Sequence, residues 1–259
     1  MLAIERKKEI LSVLRKEKTV IVGELAKRFG VSEETIRRDL DKLEKDGHVV
    51  KTYGGAVLNE GNSVELPYVV RKKSNVKAKE QIASIAAEII NDGDTLILDS
   101  SSTAVFIAQQ IKTKKDITLI TNSVEVLMEL ADVVGWKIFS TGGALKERSS
   151  ALVGDAAVEY LSRFHVDKAF ISCKGIDAEY GFSDSNDMHA AVKRQMIASS
   201  SYVCFAVDSS KFDKLSFTSI SYFAQVDAVI TDVKPSKDWL KIFDENQVRC
   251  MYVGDKENV

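Results

Sequence analysis

Ser32, Thr35, Arg37, Arg38 and Lys42 set hydroxyl and cationic side chains at helical spacing within a short stretch. Such groups suit nucleic-acid reading, with hydroxyls and cations clamping phosphates and guanidinium forks reading base edges. The element that must carry them runs from Ser32 to Asp46. Ser32 is suited to N-cap it, Glu33 and Glu34 complement its positive end, and Val31 with Ile36 has hydrophobic-staple spacing. Ile36, Leu40 and Leu43 form an inward stripe at i, i+4, i+7, which leaves Thr35, Arg38 and Lys42 facing out with Arg37 beside them. A preceding helix with Val22, Leu25 and Phe29 on one side meets it at Phe29-Gly30-Val31, the pattern of a helix-turn-helix. Ile4, Ile10, Leu11 and Leu14 supply an earlier supporting helix. Asp46-Gly47 should stop the recognition helix, and residues 48–57 read as a β-hairpin with Gly54-Gly55 at or near its turn. That hairpin is a wing, which brings Lys51 and Tyr53 towards a phosphate backbone.

A second set of residues recurs after short apolar runs. The runs are Thr95–Leu98, Ile117–Ile120, Trp136–Phe139, Lys168–Ser172, Tyr202–Val207, Ala228–Thr231 and Val248–Val253, separated mostly by helical stretches. Strands alternating with helices predict a Rossmann-like, mostly parallel α/β domain, in which ligands bind beyond the carboxyl ends of the strands. Five of those ends carry small hydroxyls, glycines, acceptors and lysines: Asp99 with Ser101, Ser102 and Thr103; Asn122; Thr141, Gly142 and Gly143; Lys174 and Gly175; Asp208 and Lys211. Ser101–Thr103 would also open a helix whose free N–H groups suit an anion. With Lys174 and Lys211 for charge and Asp99, Asn122 and Asp208 for hydroxyls, the set describes a pocket for a small, polyhydroxylated, phosphorylated compound. The absence of GxGxxG after the first strand and of GxxxxGK[ST] argues against a dinucleotide and a P-loop nucleotide.

Residues 32–40, SEETIRRDL, followed by Leu43, Gly47 and Tyr53-Gly54-Gly55-Ala56, resemble the N-terminal signature of DeoR-type bacterial transcription regulators. The strand-end loops and Val192-Lys193-Arg194-Gln195-Met196 are similar to the sensor of the same family. The resemblance implies a sensor similar in fold to ribose-5-phosphate isomerase that responds to phosphorylated sugars, with repression relieved by the effector. Family members usually carry a glutamate near the start of the helix bearing the Lys-Arg pair. His189 stands there instead and joins the expected effector residues, as a side chain able to hydrogen-bond a sugar or phosphate oxygen.

The chain of 259 residues has 45% hydrophobic residues, enough for two cores. The expected division is a reader at 1–57, a linker at 58–76 and a sensing and oligomerising domain at 77–259. The basic cluster Arg71-Lys72-Lys73 reads as a solvated charge run in that linker. Net charge is −2, but residues 1–57 hold 13 Lys and Arg against 10 Asp and Glu, leaving 23 against 28 for the remainder. A reader at +3 is weakly basic, so two or more readers are expected to act together as a homo-oligomer, dimer or tetramer, on double-stranded operator DNA. No apolar leader or ~18-residue apolar span occurs. Cys173, Cys204 and Cys250 have no paired spacing, so the expected setting is the cytoplasm, with reduced thiols. His48, His165 and His189 are scattered, so neither a metal nor a cofactor is expected, and no nucleophile motif occurs. The alternative is a sugar-phosphate isomerase-like enzyme with an attached DNA-binding domain. It would need a general base where the loop Cys173–Asp177 offers one terminal carboxylate and Phe182–Asp187 lacks a glycine-rich run. The pocket therefore reads as one that binds without turnover.

Overall fold

The computed structural model describes residues 2–17, 19–45, 48–58 and 68–255. The chain forms two compact units, Met1–Val64 and Glu65–Val259.

In the first unit, α1 (Ala3–Glu17) and α2 (Val22–Phe29) precede α3 (Glu33–Lys45). Their packing follows the apolar stripes: Ile10, Leu14, Ile36 and Leu40 are completely buried, with Leu25 and Leu43 nearly so. Gly30 ends α2 in the left-handed conformation, its amide bonding back to Lys27 O. Ser32 Oγ then accepts from Thr35 N at 3.2 Å, the cap expected of it. The wing is β2 (Val49–Thr52) paired with β3 (Gly55–Leu58) around Tyr53-Gly54, and β1 (Thr19–Ile21) adds a third strand against β3. That third strand was not expected, because Thr19–Ile21 is too short to establish a period. Asp39, one residue beyond the arginine pair, faces inward and is ion-paired with Arg6 of α1, both buried. The expected stop at Asp46-Gly47 lies outside the described residues.

The second unit opens with α4 (Tyr68–Lys73) and α5 (Val76–Glu88). Part of the expected linker is therefore ordered structure, with Tyr68 buried in the core; its Asn59, Gly61, Asn62, Ser63 and Pro67 lie outside the described residues. Then come β4 (Thr95–Leu98), α6 (Ser102–Gln110), β5 (Thr118–Thr121), α7 (Val124–Glu129) and β6 (Lys137–Ser140). A hairpin of β7 (Ala144–Lys146) and β8 (Ala151–Val153) leads to α8 (Asp155–Leu161) and β9 (Val166–Ile171). The chain continues through β10 (Gly175–Asp177), β11 (Gly181–Asp184), α9 (Asp187–Ala198), β12 (Ser200–Ala206) and β13 (Thr218–Ser221). It closes with β14 (Ala228–Thr231), α10 (Lys237–Glu245) and β15 (Arg249–Tyr252).

Seven of these strands form a fully parallel sheet in the order β15-β14-β12-β9-β4-β5-β6, at the seven apolar runs of the sequence. Each side of the sheet has its own core. Leu96 and Leu98 pack with Tyr68, Ile82 and Ile107 on one side, and Ile97 packs with Leu161, Met196 and Phe243 on the other. That double burial is why the runs of the inner strands are mostly apolar, whereas β6 and β15 at the edges are partly exposed. A small antiparallel sheet, β10-β11-β13, sits apart from the main one. Its strands of three or four mixed residues carry too little pattern to be read in advance.

Candidate functional site

On the first unit, α3 presents Arg37, Arg38 and Lys42 to solvent, and the wing tip presents Tyr53 at 93% exposure. Arg37 reaches back to Glu33 at 2.9 Å, both side chains about half exposed, so the pair yields readily to a phosphate. Lys51 is held by Asp41, which shortens its reach beyond the wing. The Ser32 and Thr35 hydroxyls bond one another at 2.9 Å at the start of α3.

On the second unit, a cavity of about 100 Å³ opens where the loops after β4, β9 and β12 meet. The sheet order explains its place. From β4 the chain moves outward through β5 and β6, whereas from β9 it moves the other way through β12, β14 and β15. The direction reverses between β4 and β9, and the loops there part to leave a crevice. Of the expected effector residues, Ser101, Ser102, Thr103, Lys174, His189, Asp208 and Lys211 line it. Ser101 caps α6, its Oγ accepting from Ala104 N at 3.0 Å. The Ser102 and Thr103 amides, in the first turn of α6, lack intrahelical partners and suit an anion. His189, in the first turn of α9, is buried beside Asp184 and Lys193.

The other expected residues do different work. Asp99 is fully used beneath the cavity: Oδ1 accepts from Ser101 N at 3.0 Å and Oδ2 from Ser172 N at 2.9 Å, tying the first loop to the second. Asn122 follows β5, one strand away from the reversal, and donates to Leu152 O at 2.9 Å to hold β8. Thr141, Gly142 and Gly143 follow β6, farther still, and do not line the cavity. Gly143 and Gly175 admit neighbouring backbone rather than a ligand, since an added Cβ would meet Val153 O at 2.6 Å and Lys214 O at 2.2 Å respectively.

Sequence reasoning missed Arg71, Ser74, Asn75 and Lys79, which approach from α4, α5 and the turn between them. Arg71 thus leaves the expected solvated run, and Lys72 of that run lies 3.6 Å from Glu125. It also missed Asp184 and Lys193, although Lys193 stands in the motif that carried the resemblance. Lys193 Nζ reaches Asp184 Oδ2 at 2.6 Å, Ser172 O at 2.7 Å and Asp99 Oδ2 at 3.6 Å. Burial works against both charges; the Lys193 ammonium nevertheless holds the Asp184 carboxyl down at about 2, and Asp184 with Asp99 pushes Lys193 up. Burial brings Lys79 down to about 8, opposed by Asp208 and assisted by Lys211 and Arg71. Burial also pushes the Cys173 thiol up to about 12, so it lines the cavity as a neutral group. The lining carries five lysines and arginines against Asp184 and Asp208, an excess that calls for an anion.

The family model of the DeoR C terminal sensor domain matches residues 74–233, and that of the DeoR-like helix-turn-helix domain matches residues 6–62. The chain is 37% identical to the uncharacterized HTH-type transcriptional regulator YulB of Bacillus subtilis (strain 168), covering 98% of each chain. It is 34% identical to the HTH-type transcriptional repressor GlcR of the same organism, covering 98% of this chain and 97% of GlcR. With the glycerol-3-phosphate regulon repressor of Escherichia coli (strain K12) it shares 29% identity, over 95% of this chain and 97% of that one. Among solved structures it is similar to ribose 5-phosphate isomerase from Plasmodium falciparum, with a TM-score of 0.39 and 16% identity over 52% of each chain.

Proposed function

The chain belongs to the DeoR family of transcriptional regulators, and from that premise we propose that it represses a carbohydrate-metabolism operon under the control of a phosphorylated sugar. It is a DNA-binding regulator and not an enzyme, in line with its relatives. The observation that carries the effector reading is the cationic cavity at the β4/β9 reversal, walled by the first turn of α6. In this reading the phosphate takes the Ser102 and Thr103 amides with Lys174 and Lys211, and His189 and Asp208 bond sugar hydroxyls. The sensing unit includes α4 and supports self-association, so that two readers meet two operator half-sites in the cytoplasm. No described helix is long and apolar enough to cross a membrane. Arg38 reads a base edge, while Arg37, Lys42 and the wing engage phosphates.

The test is a thermal-shift panel of sugar phosphates beside the same sugars without phosphate. A phosphorylated ligand at 100 times its Kd adds about 2.7 kcal/mol of stability. Lys174→Ala and Lys211→Ala should abolish that shift and leave DNA binding intact. A panel in which only unphosphorylated sugars stabilise the protein, or in which both variants respond normally, would sink the reading.

A further inference from the structure

Lys79 is 4% exposed, and its ammonium bonds the carbonyl oxygens of Arg71, at 2.5 Å, and Ser74. Those carbonyls belong to the C-terminal end of α4 and the turn after it, so a side chain from α5 holds α4 in place. An ammonium has three donors, which leaves one for the cavity that Lys79 also lines. Beside it, Arg71 stands over the Tyr68 ring at 5.5 Å and donates to Ser149 O at 3.3 Å, and Asn75 donates to Asp208 Oδ1 at 3.1 Å. One wall of the cavity is thus made by α4 and the turn that follows it. In the sequence, α4 is the first described element after the wing.

We propose that Lys79 couples the bound anion to α4: one N–H goes to a ligand oxygen and two go to the carbonyls at the end of α4. This rests on the effector reading given above. The physical reason is that the ligand's bond to Lys79 forms in the arrangement in which the ammonium also holds the two carbonyls. Opening of α4 therefore costs the ligand that contact, and occupancy of the cavity tightens α4. The chain from the reader enters the sensing unit through this helix, and its local stability is therefore the quantity the effector changes. Nothing in this coupling requires the seven-stranded sheet to move. It differs from a bare increase in affinity, because Lys79 is bonded to the end of α4 as well as lining the cavity.

Hydrogen–deuterium exchange on the full chain tests it, with inorganic phosphate and glucose 6-phosphate as probes. Two peptides decide the outcome, one covering residues 68–79 and one covering 100–106. In the unsubstituted chain, ligand at ten times its Kd should slow exchange in both by about tenfold. In Lys79→Met, 100–106 should keep its protection and 68–79 should lose it, and Lys79→Arg should restore the response in 68–79. Protection of 100–106 with 68–79 unchanged in the unsubstituted chain overturns the coupling and leaves the effector reading standing. Equal protection of 68–79 in Lys79→Met also overturns it. If neither probe protects 100–106, the effector reading itself is overturned, and the coupling falls with it.

Discussion

Replacing Asp39 with alanine should unfold the reader and leave the sensor standing. Asp39 sits in the middle of the recognition helix yet is 3% exposed, and its partner Arg6 is 6% exposed. Removing one member of a buried ion pair strands the other charge in a poor solvent, at a cost of about 3–5 kcal/mol. The core available to hold the reader comes from a unit of about 64 residues. A core of that size seldom supplies more than about 3–5 kcal/mol, so loss and reserve are of the same size. Calorimetry on the full chain should therefore lose the reader transition in Asp39→Ala, while the sensor transition and its shift with a sugar phosphate persist. DNA binding should disappear with the reader. Replacing both partners by apolar residues, Arg6→Met with Asp39→Leu, should recover most of the stability, since no charge is then left unpaired. The reasoning fails if Asp39→Ala melts within about 1 kcal/mol of the parent, or if the double variant is no better than the single one.

Arg38→Ala should weaken operator binding by about 1–3 kcal/mol in a fluorescence-anisotropy titration and relax preference at one base position. Arg37→Ala should instead lower affinity across sequences and change stability by less than about 0.5 kcal/mol, since its pair with Glu33 is exposed. Asp184 titrates at about 2 in the folded chain against 3.8 as a free group, so it adds stability above about pH 4 that is lost as the pH falls towards 2. Lys193→Met should flatten that acid limb, as followed by near-UV circular dichroism, and cost about 3–5 kcal/mol at neutral pH by leaving Asp184 and Asp99 buried without their cation. Lys79 titrates at about 8, with Arg71, Asp208 and Lys211 as its charged neighbours and Lys174, Asp184, His189 and Lys193 on the remaining cavity walls. An anion that needs the charged form should bind about tenfold more weakly at pH 9 than at pH 7, with proton uptake in calorimetry. Lys79→Arg, charged throughout, should bind with a flatter pH profile, and an unchanged profile would exclude Lys79 as the titrating group.

The reader was legible almost residue by residue because its signals are local. Caps, staples and i, i+4 stripes act within one or two turns, and Ser32, Ile36, Leu40 and Leu43 all do what their spacing predicts. What escaped was β1, too short to show a period, and the inward turn of Asp39, because its reason is Arg6 on another helix. In the sensor the five inner strands of the sheet were legible for a similar reason, since a strand covered on both faces has to be mostly apolar. The hairpin of β7 and β8 and the small sheet of β10, β11 and β13 were not, because their short strands alternate too few residues to stand out.

The site was half legible, and the missing half has one cause. Strand-end residues can be read from the sequence, but which ends meet depends on strand order, which is a long-range property. Asn122 and Thr141 follow strands of the same sheet as those before Ser101 and Lys174, yet they lie beyond the reversal, Asn122 bracing β8 and Thr141 bonding the neighbouring Gly142 O. Conversely, Arg71 comes from a stretch that read as linker and solvated charge, and Lys79 from the start of the expected sensing domain, away from any strand end. The packing of Tyr68 and Ile82 into the core brings them to the cavity. The same packing has a functional consequence. A sensor whose ligand touched only strand ends would bind an anion within a rigid frame and have little to transmit. Here one wall of the cavity is a six-residue helix tied down through the Lys79 side chain, and in the sequence it is the first described element after the wing. In the coupling proposed above, the ligand's differential contact, the only thing that can shift an equilibrium, falls on α4 rather than on the sheet.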